Sequence, residues 1–545
     1  MNDDIISTVR DRTISLVAVV RCGLRRLGGE SPSKYALGID FSSRIAVSIF
    51  EKPRTYIDSR LQASTMKKIL TISTLAIAAL MLTPMGIGPV TSLFNFNYTP
   101  SLQFVQVGPL TTMPQGLPLC KSSTHVNIIC YSPTFIKKAY EYPSTSTLDG
   151  SGQTIVIVDA FGSPGIASDL ATFDTVFGIP APPSFTIFCG NSPTPFDTST
   201  CPVVNFAAHH DIHDQIGWSV ETTLDVEYSH AMAPGANIVL DVASTSSGNA
   251  INSAETAAIA AFPGAIFSQS FGIPESFLIG NNGQISQAET NYANGVAVGD
   301  TFLASAGDTG ADFGTGTAQA NFPESSPYNT GVTGTMGLPY NATGTLEPCP
   351  TSTPFSCTSG LSAYHGPCVI GRTIPPNCVP DGYGGEQIWN EALFGAATGG
   401  AQSLIFGVPS YQAGLGLTSR GPDVDYNAAV DGGVLVVNSA ITGGTPALFI
   451  VGGTSAGSPQ WAGIIALANQ ARANLGKGLI GGNLNPTLYS IYHSARYSTD
   501  FHDITVGNDT LSGSTVGYSA TTGYDLASGI GTPIVDQLIV DIAAA

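Results

Sequence analysis

Short apolar runs rich in β-branched residues recur along the chain between longer amphipathic stretches. The first clear run, Gln153–Ala160 (QTIVIVDA), ends in Asp159 and predicts a buried parallel strand with a helix after it. Four later runs predict further strands: Asn237–Val242, Ala265–Gln269, Thr301–Ser305 and Gly433–Asn438. Because helical patterns separate several of these strands, the order predicts an α/β fold with a largely parallel central sheet flanked by helices.

Two carboxylates lie four positions apart in a helical pattern at Gly217–Pro234 (GWSVETTLDVEYSHAMAP). On a helix this spacing puts Glu221 and Asp225 on one face, where they can share a proton and acquire different pKa values. One could then act as a general base that the other orients. Solvated helices also carry such pairs, and Glu227 adds another acid to this helix.

A candidate nucleophile lies in Val451–Gly463 (VGGTSAGSPQWAG). Glycines place Ser455 on a tight turn, and Pro459 lies just inside an apolar helical run. A hydroxyl at such a helix N-terminus is surrounded by backbone N–H groups that can stabilise an anion. The full pattern Gly-Thr-Ser-x-x-x-Pro-x-x-x-Gly is a more specific sign of a nucleophilic serine than a bare Ser-x-x-x-Pro, which is usually an ordinary N-cap.

A serine hydroxyl needs a base, and the histidines offer no clear one. His365 is followed by Gly-Pro-Cys and does not stand in the His-Gly-Thr context of subtilisin-like enzymes. His209, His210 and His213 cluster without a matching set of metal ligands, so we expect a solvated or structural role for them.

A third acid follows the predicted strand in Leu303–Ala311 (LASAGDTGA). If it is protonated, Asp308 could donate a hydrogen bond to a developing oxyanion. The simpler interpretation is an aspartate in a glycine-flanked turn, which is common.

Together these segments resemble the sedolisin family of serine-carboxyl peptidases, in which Glu, Asp, Asp and Ser occur in this order. The resemblance runs from about Cys130 to Pro533. It includes four more segments: IVIVDAFGSPG at Ile155–Gly165, SQSFGIPES at Ser268–Ser276, FPESSPYNTGVTGT at Phe322–Thr335 and RGPDVDYNA at Arg420–Ala428. It implies a subtilisin-like α/β fold and peptide hydrolysis at acid pH.

The resemblance also implies a role for each site residue. Ser455 would be the nucleophile, Glu221 the general base and then acid, and Asp225 the partner that orients Glu221. Asp308 would be the acid that stabilises the oxyanion. Three residues would line the substrate cleft: Ser268, Ser270 and Gly272.

Near the C-terminus, Phe501–Asn508 (FHDITVGN) and Thr521–Pro533 (TTGYDLASGIGTP) resemble the calcium loop of the family. One Ca²⁺ ion would be held by carboxylates and main-chain carbonyls, which this hard cation prefers. The implied ligands are Asp503, Ile504, Thr521, Gly523 and Asp525. Thr521 replaces a common glycine, although only its carbonyl is needed. A glycine-rich loop with two aspartates can also be a plain turn.

Charge is distributed unevenly along the chain. Twelve of the 20 Lys and Arg residues precede residue 69, whereas 32 of the 39 Asp and Glu residues follow it. Such an acidic protein is a poor partner for nucleic acid. Its carboxylates lose their charge at low pH, which indicates acid tolerance, although a saline habitat favours the same composition.

The N-terminal region contains a candidate export signal. Met66, Lys67 and Lys68 precede the apolar run Ile69–Leu82, which is short for a membrane span. We therefore expect residues 1–65 to be an upstream extension that is absent from the mature protein, 66–92 a signal peptide, 93–130 a short leader without a full prodomain, and 131–545 the catalytic domain. A signal anchor is the alternative.

The positions of the cysteines also favour Met66 as the start of the protein. Cys22 is the one cysteine before Met66, and the other eight form four pairs of close neighbours. These pairs are Cys120 with Cys130, Cys189 with Cys201, Cys349 with Cys357, and Cys368 with Cys378. Local disulfides in an oxidising compartment explain them, although the spacing leaves the connectivity open.

The sequence thus predicts a secreted, monomeric acid peptidase that acts on polypeptides and is not stably bound to membranes after signal cleavage. Two alternatives stay open: a catalytically silent exported binding or surface protein of the same fold, and an esterase. Sedolisins usually carry a large prodomain, so the short leader puts activation by prodomain removal in doubt.

Overall fold

The computed structural model describes residues 96–110, 127–144, 147–190, 212–280, 282–337 and 385–545, with a few short strands and one single residue outside these ranges. The chain divides into two units, Met1–Ile87 and Gly88–Ala545. Two short antiparallel strands are described in the first unit. The expected signal peptide with its anchor alternative, and His209 and His210, lie outside the described residues.

The strands are numbered in chain order. They are β1 (Gly23–Arg25), β2 (Ala36–Gly38), β3 (Thr99–Pro100), β4 (Gln103–Pro109), β5 (Leu119–Lys121), β6 (Asn127–Tyr131), β7 (Thr154–Ala160), β8 (Phe185–Phe188), β9 (Pro193–Thr194), β10 (Asn237–Ala243), β11 (Ile266–Gln269), β12 (Phe271–Pro274), β13 (Thr301–Ser305), β14 (Asn321–Phe322), β15 (Asn329–Gly337), β16 (Phe355–Cys357), β17 (Cys378–Pro380), β18 (Glu386–Ile388), β19 (Asn390–Glu391), β20 (Ala396–Ala397), β21 (Val424–Asn427), β22 (Gly433–Asn438), β23 (Ala447–Gly452), β24 (Phe501–His502) and β25 (Thr532–Pro533).

The helices of the described residues are numbered in the same way. They are α1 (Pro133–Ala139), α2 (Ile166–Phe177), α3 (Ile212–Met232), α4 (Gly248–Ala261), α5 (Asn282–Val298), α6 (Gly457–Asn474), α7 (Leu484–Tyr492), α8 (Tyr497–Asp500) and α9 (Val535–Ala544).

A central sheet of nine described strands organises the fold, in the order β18-β15-β13-β11-β7-β10-β8-β9, with β21 also paired to β15. The inner strands run parallel, and only the short β18 and β9 pair antiparallel among these described strands. This confirms the predicted α/β class and the largely parallel sheet. The carboxyl ends of parallel strands meet at one edge, where binding sites of such sheets form.

Both faces of the central sheet are buried under helices. Along β7, Ile155 and Ile157 join the hydrophobic core on one face, whereas Val156 and Val158 join the core on the other. Helices α3 and α6 pack on the first face, and α4 and α5 pack on the second. Because successive side chains of a strand point to opposite faces, an uninterrupted apolar run fits a strand covered on both sides.

A second sheet has the order β4-β23-β22-β6-β5. The strand predicted at Gly433–Asn438 forms as β22, but it lies in this sheet and pairs antiparallel with β23. Strand β23 leads directly to the turn that carries Ser455. On its other side β23 pairs antiparallel with β4, which belongs to the segment expected to be a leader.

One of the predicted cysteine pairs, Cys120 with Cys130, can be followed in the described residues. Cys120 and Cys130 form a disulfide between the paired strands β5 and β6, and Cys189 is also disulfide-bonded. In β16 and β17 the backbone register sets Cys357 opposite Cys378. Within the described part of the chain, no helix is both long and apolar enough to cross a bilayer.

Candidate active site

Ser455 lies in a turn that connects a buried strand to a buried helix. β23 ends at Gly452, and Gly453 adopts a φ of 119°, which favours glycine. Residues Thr454–Ala456 form a single 3₁₀ turn before α6 begins at Gly457. Ser455 is fully buried. The turn therefore holds the hydroxyl at the N-terminal end of a long helix, as the motif predicts.

Glu221 and Asp225 lie on the buried face of α3, which packs against the Ser455 turn. Burial, and then the charges of Asp225 and Asp159, raise the pKa of Glu221 well above its usual range. The Ser455 hydroxyl opposes this rise as a hydrogen-bond partner. The contact lacks the geometry of a normal hydrogen bond, so neither Glu221 oxygen has a regular partner among the described residues. Such contacts are often loose before substrate binds.

Ser270 connects the acid pair to the nucleophile. Its hydroxyl donates a 2.9 Å hydrogen bond to Oδ1 of Asp225, and it also lies 3.2 Å from the main-chain oxygen of Ser455. The main-chain oxygen of Ser270 accepts a 3.1 Å hydrogen bond from the Ser455 hydroxyl. Burial raises the pKa of Asp225 well above its usual range, and the bond from Ser270 opposes that rise.

Asp308 approaches Ser455 from the carboxyl end of β13. Its Oδ1 accepts 2.9 Å hydrogen bonds from both the N–H and the hydroxyl of Thr454. Its Oδ2 is buried and has no hydrogen-bond partner in the described part of the chain. Burial raises the pKa of Asp308 to about 8, although the bonds from Thr454 lower it. Below that pH the carboxyl is neutral, so Oδ2 can carry a proton and donate it in a hydrogen bond.

The three residues expected to line the cleft have different environments. Ser268 is fully buried in β11, and its hydroxyl lies 2.8 Å from that of Ser458. Ser270 faces Asp225, as described above. At Gly272 in β12, an added Cβ would lie 1.8 Å from the side-chain nitrogen of Asn321, so no larger side chain fits there.

Comparison with known proteins gives a consistent result. No protein-family model matches the chain. Kumamolisin of Bacillus sp. (strain MN-32) is 30% identical over 422 residues, which cover 75% of this chain and 63% of that protein. Physarolisin of Physarum polycephalum is 28% identical over 446 residues, 74% of this chain and 72% of its own length.

Among solved structures, Pseudomonas sedolisin, a serine-carboxyl proteinase complexed with two molecules of pseudo-iodotyrostatin, superposes with a TM-score of 0.56. The match has 22% sequence identity and covers 76% of this chain and 99% of the sedolisin chain. Over about three quarters of its length the chain is similar to proteins of the sedolisin family. The predicted resemblance and the predicted fold are thereby confirmed, although the match covers 63% of kumamolisin, which is less than two thirds of that protein.

One acid at the site was not predicted to have a role. Asp159 ends the predicted sedolisin-like segment IVIVD in β7 and is fully buried beneath α3. Burial and the charges of Asp225 and Asp241 raise the pKa of Asp159 well above its usual range, and the nearby Thr222 hydroxyl opposes the rise. The signal was present in the sequence, because a carboxylate at the end of an otherwise apolar strand needs a reason to be buried.

The loop that resembles the sedolisin calcium loop brings its two aspartates together around Tyr497, whose pKa is raised by burial and by the charges of Asp503 and Asp525. The N–H of Gly523 donates to both oxygens of Asp503 at 3.0 Å, and the N–H of Thr521 donates to Asp525 at 2.8 Å. The described residues contain no cluster of three or more His, Cys, Asp and Glu side chains suited to a metal. The expected set has two carboxylates and otherwise main-chain carbonyls.

The types of oxygen donor in this loop are those of a calcium site. In the described part of the chain, the main-chain oxygens of Ile504, Thr521 and Gly523 accept none of the backbone hydrogen bonds found outside regular elements. Carboxylates and main-chain carbonyls are the oxygen donors that Ca²⁺ prefers. In donor type, the residues present therefore fit a calcium ion.

Proposed function

We propose that the chain is a secreted, acid-acting serine-carboxyl peptidase that cleaves polypeptides through an acyl-enzyme on Ser455. The observation that carries this proposal is the convergence around Ser455 of three buried acids from two elements: Glu221 and Asp225 from α3, and Asp308 from the end of β13. Burying several carboxyl groups is costly unless they remain neutral or share protons, so a purely structural role would not favour this arrangement.

The proposed chemistry assigns one task to each acid. Glu221 accepts the proton of the Ser455 hydroxyl as the oxygen attacks the substrate carbonyl, and it then protonates the departing amine. Asp225 orients Glu221 and shares its proton. The neutral Asp308 and the N–H of Ser455 donate hydrogen bonds to the oxyanion. Water then hydrolyses the ester in the same manner, with Glu221 again acting as the base.

The same residues support operation at acid pH. One carboxyl of the Glu221–Asp225 pair must lose its proton to act as the base, whereas Asp308 must keep its proton to donate a hydrogen bond to the oxyanion. The pKa of Asp308 is raised by burial to about 8, so activity that depends on this proton is lost at higher pH. The low basic content of the main unit is also suited to acidic surroundings.

A calcium ion is part of the proposal. Asp503 and Asp525, with the carbonyls of Ile504, Thr521 and Gly523, would hold it. The ion would tie β24 and the loop after it to the loop before β25, and it would act on stability rather than on the reacting atoms. We further propose that the enzyme is exported and works as a monomer.

The test uses the purified full chain with a denatured protein and an ester substrate. We expect proteolysis at about pH 3 to 5, labelling of Ser455 by a fluorophosphonate, and loss of both in Ser455→Ala. The control Ser490→Ala changes an exposed serine of α7 and should keep both. A pH maximum near 8, or full activity in Ser455→Ala, contradicts the proposal. Absence of labelling favours a silent protein, and cleavage of esters alone favours an esterase.

A further inference from the structure

Thr454, the residue before Ser455, is joined to Asp308 by two hydrogen bonds. Its main-chain N–H and its hydroxyl each donate to Oδ1 of Asp308 at 2.9 Å. The hydroxyl oxygen in turn accepts a 2.9 Å hydrogen bond from the N–H of Gly307. The hydrogen bonds therefore run from Gly307 through the Thr454 hydroxyl to one oxygen of Asp308.

The direction of these hydrogen bonds follows from the groups that make them. The N–H of Gly307 can only donate, so it takes a lone pair of the Thr454 hydroxyl oxygen. The hydroxyl has one proton, and Oδ1 of Asp308 is the acceptor that it meets among the described residues. The main-chain N–H of Thr454 also can only donate. Oδ1 of Asp308 therefore receives two hydrogen bonds and is held as an acceptor.

The two oxygens of Asp308 are consequently different when the carboxyl is neutral. A protonated carboxyl has one O–H donor and one oxygen that only accepts. A proton on Oδ1 would compete with the two donors of Thr454 that already point at this oxygen. The proton therefore belongs on Oδ2, which is buried and has no hydrogen-bond partner in the part of the chain that the structure describes.

Oδ2 of Asp308 is also the oxygen that faces the reaction point. The N–H of Ser455 donates to the main-chain oxygen of Ser101 at 3.1 Å, which marks where a carbonyl oxygen meets this donor. A Cβ placed on Gly453 would lie 2.4 Å from that oxygen and 2.5 Å from Oδ2 of Asp308. Both oxygens border the same small volume. A proton on Oδ2 is therefore available to an oxyanion that forms there.

The methyl group of Thr454 fixes the direction of its hydroxyl. Thr454 is fully buried, and a Cβ placed on Gly334 of β15 would lie 3.2 Å from both the Thr454 methyl carbon and the ring of Trp389. The methyl group is thus packed in a closed space. Because a β-branched side chain has few favourable χ1 rotamers, placing the methyl group also places the hydroxyl.

We propose that Thr454 is a positioning residue that fixes the proton of Asp308 on Oδ2, so that the neutral acid presents its donor to the oxyanion. Thr454 acts through Asp308 rather than on the reacting atoms. The proposal rests on the proposed function and deepens it, because it names the residue that orients the oxyanion donor. A donor that is already oriented needs no rearrangement as negative charge develops.

The same hydrogen bonds influence how readily Asp308 loses its proton. Burial raises the pKa of Asp308 to about 8, and both bonds from Thr454 lower it. Glu221 of α3 is close enough to respond, since its pKa is raised mainly by burial and to a smaller extent by the charge of Asp308. Loss of the Thr454 hydroxyl should raise the pKa of Asp308 further. The neutral acid would then persist to higher pH, although its proton is less well placed.

The test compares two substitutions in the purified full chain. Thr454→Val replaces the hydroxyl with a methyl group, whereas Thr454→Ser keeps the hydroxyl. We expect Thr454→Val to lower kcat on a peptide at acid pH by roughly tenfold, with little change in KM. The upper limb of its pH profile should move to higher pH. Thr454→Ser should recover most of kcat and leave the upper limb at the wild-type pH.

A second pair of variants separates positioning from direct contact with the oxyanion. Asp308→Ala removes the acid through which Thr454 is proposed to act. In the Asp308→Ala background, Thr454→Val should therefore change kcat by less than about twofold, because the effects of coupled residues do not add. A further loss of about tenfold in that background would show that the Thr454 hydroxyl acts independently of Asp308, which overturns the proposal.

Thr330→Val is the matched control, since it removes a buried threonine hydroxyl that donates to the side chain of Asn485 at 2.7 Å. It should keep the wild-type kcat and pH profile. Thermal melts show whether each variant folds, and Thr454→Ala removes the same hydroxyl if Thr454→Val does not fold. An unchanged kcat and upper limb in the folded variant contradicts the positioning role, while the proposed function stands. If wild type cleaves no peptide, the proposed function fails, and this proposal fails with it.

Discussion

The hydroxyl of Ser270 donates a 2.9 Å hydrogen bond to Asp225, an acid buried one helical turn from Glu221. The main-chain oxygen of Ser270 accepts a 3.1 Å hydrogen bond from the Ser455 hydroxyl. One residue at the junction of β11 and β12 thus contacts both ends of the proposed proton path. It holds the orienting acid and the nucleophile in a fixed relation.

Ser270→Ala should lower kcat by roughly ten- to a hundredfold with little change in KM, because leaving a buried hydrogen-bonding group unsatisfied costs about 1–3 kcal/mol. In the native enzyme the hydrogen bond from Ser270 lowers the pKa of Asp225. Without this bond the pKa of Asp225 should rise further, and the acid limb of the pH profile should shift to higher pH. Ser268→Ala is the control, since its hydroxyl contacts Ser458 and no acid. Equal losses in both variants would contradict this role.

Two substitutions of Asp308 can separate its role as a hydrogen-bond donor from the effect of its titration. Asp308→Ala removes an oxyanion donor and should lower kcat by about 10²–10³-fold. Asp308→Asn keeps a donor that does not titrate, so it should lose less activity at acid pH. Because burial raises the pKa of Asp308 to about 8, wild type should lose this donor only above that pH, so the ratio of activity above pH 8 to activity at acid pH should be higher in Asp308→Asn than in wild type. An unchanged ratio would show that another group sets the upper limb.

Removing calcium should lower thermal stability before it affects chemistry. A ligand that binds only the folded state stabilises by an amount that grows with its free concentration. EDTA should therefore lower Tm by several degrees, and added Ca²⁺ should restore it. In Asp503→Ala, EDTA should cause little further change. If Tm is the same with and without Ca²⁺ in wild type, the loop is a plain turn.

Stability should fall as pH rises, because of buried acids away from the active site. Burial, and then the charge of Asp241, raise the pKa of Glu255 from 4.5 to about 8, although Asn291 opposes this. The folded state therefore keeps a proton that the unfolded chain releases, so this contribution is full below pH 4.5 and is lost as pH rises through 8. Glu255→Gln should match wild type in stability at acid pH and exceed it at pH 8 by roughly 4 kcal/mol.

The control for Glu255→Gln is a substitution of Asp149, an acid whose pKa is shifted in the opposite direction. Hydrogen bonds, first from the Ser151 side chain, lower the pKa of Asp149 below its usual 3.8. Its contribution is present above that pH and is lost as pH falls through the lowered value. Asp149→Asn should therefore gain no stability at pH 8. Urea unfolding at several pH values measures both variants, and a stability gain at pH 8 in both would contradict the assignment to Glu255.

The elements of the candidate active site were predictable because their signals are local. The buried strands have uninterrupted apolar runs, and β13 and β22 begin and end at the predicted residues. The four-residue spacing of Glu221 and Asp225 fixes their common face on any helix. The glycines around Ser455 define the turn, and the order of the acids identified the family.

Other features depend on pairing between distant segments. The two-residue strand β3 has no periodicity of its own, and its place beside β12 arises from contacts across about 170 positions. No local pattern could therefore predict that Ser101 lies at Ser455. The same holds for β22, whose apolar sequence suits either sheet and whose partners β6 and β23 decide its place.

The most direct test of the account is the pH dependence of kcat/KM on a peptide substrate for wild type and Glu221→Gln. The account predicts a maximum in the acid range for wild type and a loss of at least about 10³-fold in the variant, because the amide cannot accept the Ser455 proton. A maximum near pH 8, or a variant that retains most of its activity, would show that Glu221 is not the base.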